Sequence, residues 1–419
     1  MTDHTESKSK PPSLQRSASV VRNRRTVLFV LAGLCIVGTA GTIAGASAGG
    51  GRTAPSVVKF AHSSTSTSQW TTPSDETNTP VVLTPGGATS GNGAFNAVSC
   101  PTPSLCIAVG GDATLNAVAA VSTNGASSWS SSALPSGLPQ LNAVSCSSAA
   151  TCVAVGAGYV VISSDSGNTW APETIPTPNT TLLGVSCPSS TVCVSAGVTP
   201  GNDGPYGGQL LYSSDGGNTW NAGTSSSAFG AFGSVNCPTT TYCVAVGAQV
   251  MVSNDGGQTW SEQSVIGGTG VLRSVSCSSS SNCVAIGSNP LGLHDQNARA
   301  SEVVTTDGGV TWTSVAAPAN SSTLNAISCA NGEACVVSGP SLAGGAAPAW
   351  SSTDNGGSWS GKEFPSGVDA VSALSCTSSS SCVFIGLQGA RPVTGSFVSG
   401  SSGSVSPVSS SIVMTEAGS

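Results

Sequence analysis

Cysteine spacing constrains this chain most. Fourteen of its fifteen cysteines form seven pairs: Cys100/Cys106, Cys146/Cys152, Cys187/Cys193, Cys237/Cys243, Cys277/Cys283, Cys329/Cys335 and Cys376/Cys382. Every pair is six positions apart. A short apolar run such as Leu141-Asn142-Ala143-Val144-Ser145 precedes each first cysteine, and another such as Val153-Ala154-Val155-Gly156 follows each second one. Polar turn residues lie between, so each pair marks a β-hairpin with one cysteine at the end of each strand. Zinc is the competing use of paired cysteines. Zinc sites place about two to four residues between ligands, and none of the chain's three histidines stands beside a pair. Disulfides are therefore expected, and with them an oxidising compartment. Each would close a short loop, worth roughly 2.4 kcal/mol in the chain-entropy account.

A second repeat follows each hairpin. Ser163-Ser164-Asp165-Ser166-Gly167-Asn168-Thr169-Trp170 recurs at 213–220, 253–260, 305–312 and 352–359, bringing Asp215 and Trp220, Asp255 and Trp260, Asp307 and Trp312, and Asp354 and Trp359 into register. A degenerate copy at 122–129 has Asn124 in place of the aspartate. Such an aspartate accepts hydrogen bonds from N–H groups just ahead and fixes a turn. The glycine permits positive φ, and the tryptophan buries a large ring at the start of the next strand. The pattern resembles the Asp-box, or BNR repeat, of the sialidase-type propellers, where the aspartate is structural. The resemblance implies an all-β propeller, and seven A–B hairpins imply a seven-bladed β-propeller of four-stranded antiparallel blades; one N-terminal transmembrane or signal helix is expected before it, on the charge pattern given below.

Spacing orients the blades. From each Asp-box tryptophan to the next first cysteine is 17 residues. Length varies only between the second cysteine and the Asp-box, where the steps are 16, 11, 20, 10, 22 and 17 residues. Let strand A end at the first cysteine, B start at the second, C end at the Asp-box and D start at its tryptophan. In an up-and-down blade the A–B and C–D turns share one face and the B–C and D–A turns the other. Disulfides and Asp-boxes thus occupy an invariant face, and the variable B–C loops the opposite one, where binding residues concentrate. The longest loops, Val198–Gln209 and Ser288–Glu302, carry Asp203, Tyr206, His294, Asp295 and Arg299, the candidate ligand-binding residues. Counting 17 back from Cys100 marks Pro80–Thr84 as a D strand that closes the ring.

Charge gives the expected address. Residues 1–25 hold six bases and two acids, residues 26–51 none of either, and the remainder six bases and seventeen acids. A basic flank before an apolar run reads as an export segment with its N-terminus inside. Three forms of it stay open: an uncleaved anchor, cleavage after Ala46-Ser47-Ala48, or a twin-arginine signal at Arg24-Arg25. Cys35 sits inside this run as a buried thiol. The expected organisation is a basic tail (1–25), an anchor or signal (26–48), a Ser/Thr-rich stalk (49–77), the propeller (78–410) and a tail (411–419). The propeller is expected outside the cytoplasm, on the membrane or secreted.

The acidic propeller disfavours nucleic acid. No metal or other cofactor site is expected. A sialidase would need an arginine triad and a nucleophilic tyrosine with its glutamate, but the propeller has only the arginines Arg273, Arg299 and Arg391, and no Phe-Arg-Ile-Pro motif. A general glycosidase would need two facing carboxylates. The sequence thus favours a non-catalytic binding or scaffold propeller for an envelope protein or glycan, with a sialidase-type glycan hydrolase as the alternative. On the expected topology, protease added to wall-stripped intact cells cuts within 52–77; full protection of that stalk would reverse the orientation.

Overall fold

A computed structural model describes Val81–Val82 and residues 94–397, apart from 113, 201–206, 226–229, 268–269, 290–298, 320, 322, 331–333, 341–346, 365–367, 369, 379–380 and 389–390. The tail, the anchor or signal segment, Cys35, the stalk and the C-terminal tail lie outside the described residues. The chain divides into two units, 1–50 and 51–419, and the described residues belong to the second.

The strands form seven sheets. Six are blades built from consecutive strands. Their A strands are Ala94–Ser99, Leu141–Cys146, Thr181–Ser186, Phe232–Asn236, Val271–Cys277 and Ala326–Cys329, and in each sheet the order outward is A, B, C, D. The remaining sheet is composite. Ala370–Ser378, Ser381–Gln388 and Arg391–Phe397 come from the C-terminal end, and its outer strand, Val81–Val82, comes from the other end of the described chain. Val81 pairs with Thr394 and Val82 with Val393, within the segment assigned to ring closure.

The expectation of seven four-stranded antiparallel blades is therefore corrected, while the helix expected at 26–48 lies outside the described residues. Six blades are continuous in sequence, and the ring is completed by the composite sheet rather than by a further blade of the same build. Blades four and five each gain a fifth, parallel strand. Thr224–Ser225 lies along Thr259–Trp260, and Val265–Ile266 along Trp312–Thr313. Each is the tail of the preceding blade, laid over an outer edge that would otherwise expose unpaired backbone groups. No helix occurs among the described residues, and none there is long and apolar enough to cross a membrane.

The composite sheet also departs from the expected strand limits. Blade six follows the rule: its inner strand ends at Cys329 and the next, Cys335–Ser338, starts at the second cysteine. In the composite sheet the inner strand runs two residues past Cys376, to Ser378, and the next begins at Ser381, one residue before Cys382. Ser378 pairs with Ser381, so the ladder continues beyond the cysteines.

Burial explains the sequence of each strand. The B strands Cys106–Gly111, Cys152–Gly156 and Cys243–Gly247 are buried throughout, because neighbouring sheets cover both their faces. They accordingly read as continuous apolar runs rather than alternating ones. The outer strands Ser130–Ser131 and Asn221–Ala222 are exposed and polar or small. Cores form between sheets, as where Ile107, Val109 and Val121 of blade one meet Leu141, Val144, Ala154 and Trp170 of blade two.

One local device recurs in every inner strand that is described far enough to show it. A bulge falls four residues before the first cysteine, at Asn96, Asn142, Leu183, Gly233, Arg273 and Ser372. The bulge drives a strand-A carbonyl against the B strand, and glycine stands there. A Cβ on Gly110, Gly197, Gly247 or Gly287 would lie 1.9–2.2 Å from the carbonyl oxygen of Ala94, Thr181, Ala231 or Val271. No side chain fits such a gap.

The inner strands are joined by a closed circuit of hydrogen bonds. The residue before each first cysteine accepts from the backbone N–H of the next first cysteine. Ser99 accepts from Cys146, Ser145 from Cys187, Ser186 from Cys237, Asn236 from Cys277, Ser276 from Cys329, Ser328 from Cys376 and Ser375 from Cys100, at 2.9–3.1 Å. The last bond returns the circuit from the composite sheet to blade one. Replacing Ser186 with Ala orphans the Cys237 N–H at a buried seam, and chemical denaturation should show a loss of about 1–2 kcal/mol.

Candidate functional site

The invariant face is built first, since it fixes what the other face can do. The cysteines pair locally, as their spacing requires: Cys100–Cys106, Cys146–Cys152, Cys187–Cys193, Cys237–Cys243, Cys277–Cys283, Cys329–Cys335 and Cys376–Cys382. Each disulfide closes an A–B turn. Cys329 stands directly opposite Cys335 in the ladder, and Cys376 opposite Cys382. The second cysteine of each pair lies deep, Cys335 and Cys382 included, while Cys329 and Cys376 are partly buried. Within several of these turns a hydroxyl two residues past the first cysteine accepts the N–H three residues on, as with Ser148 and Thr151, or Ser189 and Val192. The Asp-box of the same blade is bonded to the same turn: Ser166 N–H donates to Ala150 O, Gly216 to Thr191 O, Gly256 to Thr241 O and Gly308 to Ser281 O. The donor has positive φ in each of these, including the non-glycine Ser166 at 64°.

Inside each box the aspartate is engaged by its own turn. Thr169 donates to Asp165 through Oγ1 at 2.6 Å and through its N–H at 2.9 Å, and Ser163 Oγ donates at 2.8 Å while accepting the Gly167 N–H. The bonds from Thr169, backed by Ser163, hold the Asp165 carboxyl down at about 2. Asp215, Asp255, Asp307 and Asp354 make the same set, with Ser358 replacing threonine in the last. Each of these carboxylates thus spends three acceptor bonds on its own turn. The Asp-box glycine then packs on the preceding blade: a Cβ on Gly167 would meet Ile107, one on Gly217 Val153 and one on Gly257 Val194.

The B–C face varies among the blades. In blades two and four the B and C strands are joined by two residues, Ala157–Gly158 and Ala248–Gln249. In blades three and five the strands themselves lengthen. Cys193–Thr199 pairs with Gly207–Ser213 out to Thr199 and Gly207, and Cys283–Asn289 pairs with Arg299–Thr305 out to Asn289 and Arg299. The expected loops Val198–Gln209 and Ser288–Glu302 are thus partly raised hairpin strand. Asp203, Tyr206, His294 and Asp295 lie outside the described residues. Arg299 opens a C strand, and its side chain is likewise outside the description.

Two residues acquire a meaning that sequence reading missed. Arg273 occupies the bulge of an inner strand, near the B–C end of the ring, and is exposed. Among the described side chains it is the one basic group. Asn96 and Asn142, at the same place in blades one and two, are tied by side-chain amides to the carbonyls of Leu141 and Leu182 in the next blade. The available signal was an arginine where the other blades carry amide, small or aliphatic residues. Glu302, which ended the expected blade-five loop, is instead a buried strand residue, 1% exposed and facing blade six. Its signal was position: three residues before the Asp-box, the other blades carry Ala119, Val160, Leu210, Val250 and Ala349.

Among the described residues no group of three or more metal-ligating side chains comes together. The described B–C loops carry one carboxylate, Asp112, which accepts four hydrogen bonds from Thr114 and Asn116 within its own turn.

The Asp-box aspartates make the fold acid-sensitive in a defined direction. A carboxyl depressed in the folded state contributes stability above its unfolded value, near 4, and that stability is lost as pH falls through the folded value, about 2 for Asp165. Asn124 shows that the amide is accepted in this turn, since its Oδ1 takes the Ser128 N–H and its Nδ2 donates to Ser128 Oγ. Replacing Asp165 with Asn should therefore preserve the fold and flatten the decline of Tm between about pH 4 and 2, in proportion to the one group removed.

The BNR/Asp-box repeat profile matches residues 251–262, which contain the blade-four box. No curated protein matches the chain. Among solved structures it is similar to YCF48 bound to D1 peptide, at 16% identity and TM-score 0.54, covering 79% of this chain and 100% of that one. YCF48 from Cyanidioschyzon merolae is similar at 14% identity and TM-score 0.52, covering 73% and 97%. The GH74 enzyme of Niastella koreensis is similar at 17% identity and TM-score 0.51, covering 73% of this chain and 53% of that one, so the likeness spans about half of the enzyme. At these identities the likeness is one of fold. The repeated turn, the profile match and the shared architecture identify the chain as a β-propeller of BNR/Asp-box repeats.

Proposed function

We propose that the protein is an extracytoplasmic, non-catalytic binding propeller whose B–C face takes a segment of another protein. The observation that carries this reading is the asymmetry of the two faces. One is committed to disulfides, turn-bound aspartates and interblade bonds. The other holds the length variation, with raised hairpins in blades three and five.

Aromatic placement favours protein over glycan. Flat apolar platforms commonly hold sugar rings, and aromatic side chains supply them. Here Trp129, Trp170, Trp220, Trp260, Trp312 and Trp350 are buried, as are Tyr159, Tyr242 and the described phenylalanines. Trp359 and Tyr212 are half-buried and packed into the interblade cores. No described aromatic is exposed. A solved propeller of similar fold holds a peptide, which supports the same choice. The glycan hydrolase reading has a fold-level likeness to a GH74 enzyme behind it, but Asp112 is consumed by its own turn. The basic flank, apolar run and seven disulfides support a propeller outside the cytoplasm, anchored or secreted.

Cross-linking capture from intact envelopes, with the full chain as bait, identifies the partner. Shortening both long hairpins to the two-residue link of blade four should leave Tm within a few degrees and abolish capture. A trimmed chain that folds and captures the same partner undiminished would place the site elsewhere. Recovery of polysaccharide without protein would favour the glycan reading.

A further inference from the structure

Five blades fill the position three residues before the Asp-box with alanine, valine or leucine, and each of those side chains is buried against the next sheet. Blade five places Glu302 there. The neighbouring residues on its strand, Ala300 and Val304, pack into an apolar seam with Val284, Ile286, Leu324 and Trp350. A carboxyl group in such surroundings either loses its charge or finds a cation. No described cation faces it.

What faces it is the Asp-box of blade six. Trp359 Nε1–H donates to Glu302 Oε1 at 3.0 Å and to Oε2 at 2.9 Å. In blades two and four the equivalent indole donates to the carbonyl of its own Asp-box glycine, Trp170 to Gly167 O and Trp260 to Gly257 O. Blade six has exchanged that local bond for one across the seam. Gly356 lies against the carboxyl, so closely that a Cβ there would be 2.7 Å from Oε1. The one titratable group acting on Glu302 is Asp354. Burial raises Asp354, but bonds from Ser352 and Ser358 outweigh it and leave it below its usual value, an anion that opposes a second charge.

We propose that the seam between blades five and six is a proton-dependent latch, in which Glu302 is seated neutral against Trp359 and, once its proton is lost, the buried charge beside Asp354 loosens this seam alone. Burial, opposed by the Trp359 bond and reinforced by Asp354, raises the carboxyl to about 8. The folded value thus lies above the unfolded one. The latch contributes fully below about pH 4.5 and is lost as pH rises through about 8. The latch is independent of what the B–C face binds.

The test uses the full chain, with thermal melts from pH 5.5 to 9.5 and amide exchange corrected for its intrinsic pH dependence. The wild type should lose Tm as pH rises through about 8, while Glu302→Gln, which keeps an acceptor for the indole, should not follow that decline. Exchange at the Gly356 and Ser358 amides should rise about tenfold between pH 6.5 and 9, with no matching rise at Gly257 and Thr259 in blade four. The indole N–H of Trp359, assigned by its loss in Trp359→Phe, should shift with the same midpoint. Should Glu302→Gln fail to fold, Glu302→Val copies Val250 of blade four and should likewise remove the transition. An unchanged pH curve in the folded variant, an indole signal that does not titrate, or equal loosening in blades four and six would each overturn the latch.

Discussion

The structure depends on a hydrogen bond that links each sheet to the next, from the backbone N–H of a first cysteine to the serine or asparagine preceding the first cysteine before it. The donor sits at the end of strand A, facing the neighbouring sheet, and must find its partner there. The acceptor is the neighbouring strand's own last polar side chain. Because the acceptor precedes one cysteine and the donor is the next, a single dipeptide serves both ends of the link. Repeated around the ring, it needs every first cysteine at the same height, and the disulfide closing each A–B turn fixes that height. The composite sheet obeys this too: its ladder runs on past Cys376–Cys382, yet Cys376 still donates to Ser328. This explains why the six-residue spacing admits no exceptions. Insertions near the cysteines would break two seams at once, whereas insertions between B and C disturb none.

The bulge and its glycine act at the other end of the inner strands. An extra residue in strand A increases the local twist, and the twist tilts adjacent sheets so that they pack around a ring instead of stacking flat. Its consequence is a carbonyl driven onto strand B, which only glycine tolerates. Curvature and the Gly of Val-Ala-Val-Gly are therefore one constraint. The same bulge turns a side chain out of the ladder, and in blades one and two that side chain bonds the next sheet. In blade five it leaves Arg273 exposed.

Much of this was legible in sequence because it repeats. The cysteine pairs, the Asp-boxes and the 17-residue step located the A–B hairpins, and the same count placed the closing strand at Pro80–Thr84, where Val81 and Val82 pair. The raised hairpins were not legible. Strands such as Gly207-Gly208-Gln209 and Arg299-Ala300-Ser301 lack alternating hydrophobicity, since they rise beyond the sheet-to-sheet packing that imposes it. The parallel fifth strands went unread for a related reason: Thr224–Ser225 and Val265–Ile266 are too short to show a period. The serine before each first cysteine was visible in every pair but one, yet serine is so common here that its recurrence carried no contrast.

Glu302 shows why position must be read with type. Within the stretch 288–302 it looked like one charge among several on a solvated loop. Aligned on the Asp-box, it stands in a column of alanine, valine and leucine, and the contrast is with the other blades rather than with its neighbours in sequence. A repeat protein supplies that comparison from its own chain. Because every blade packs only on its two neighbours, an exception in one column is confined to one seam and need not disturb the rest. Blade five combines such an exception with one of the two raised hairpins and with Arg273 on its inner strand. It is the blade that departs most from its fellows, and departures concentrated in one repeat of an otherwise uniform ring are what distinguish a site from the scaffold that holds it.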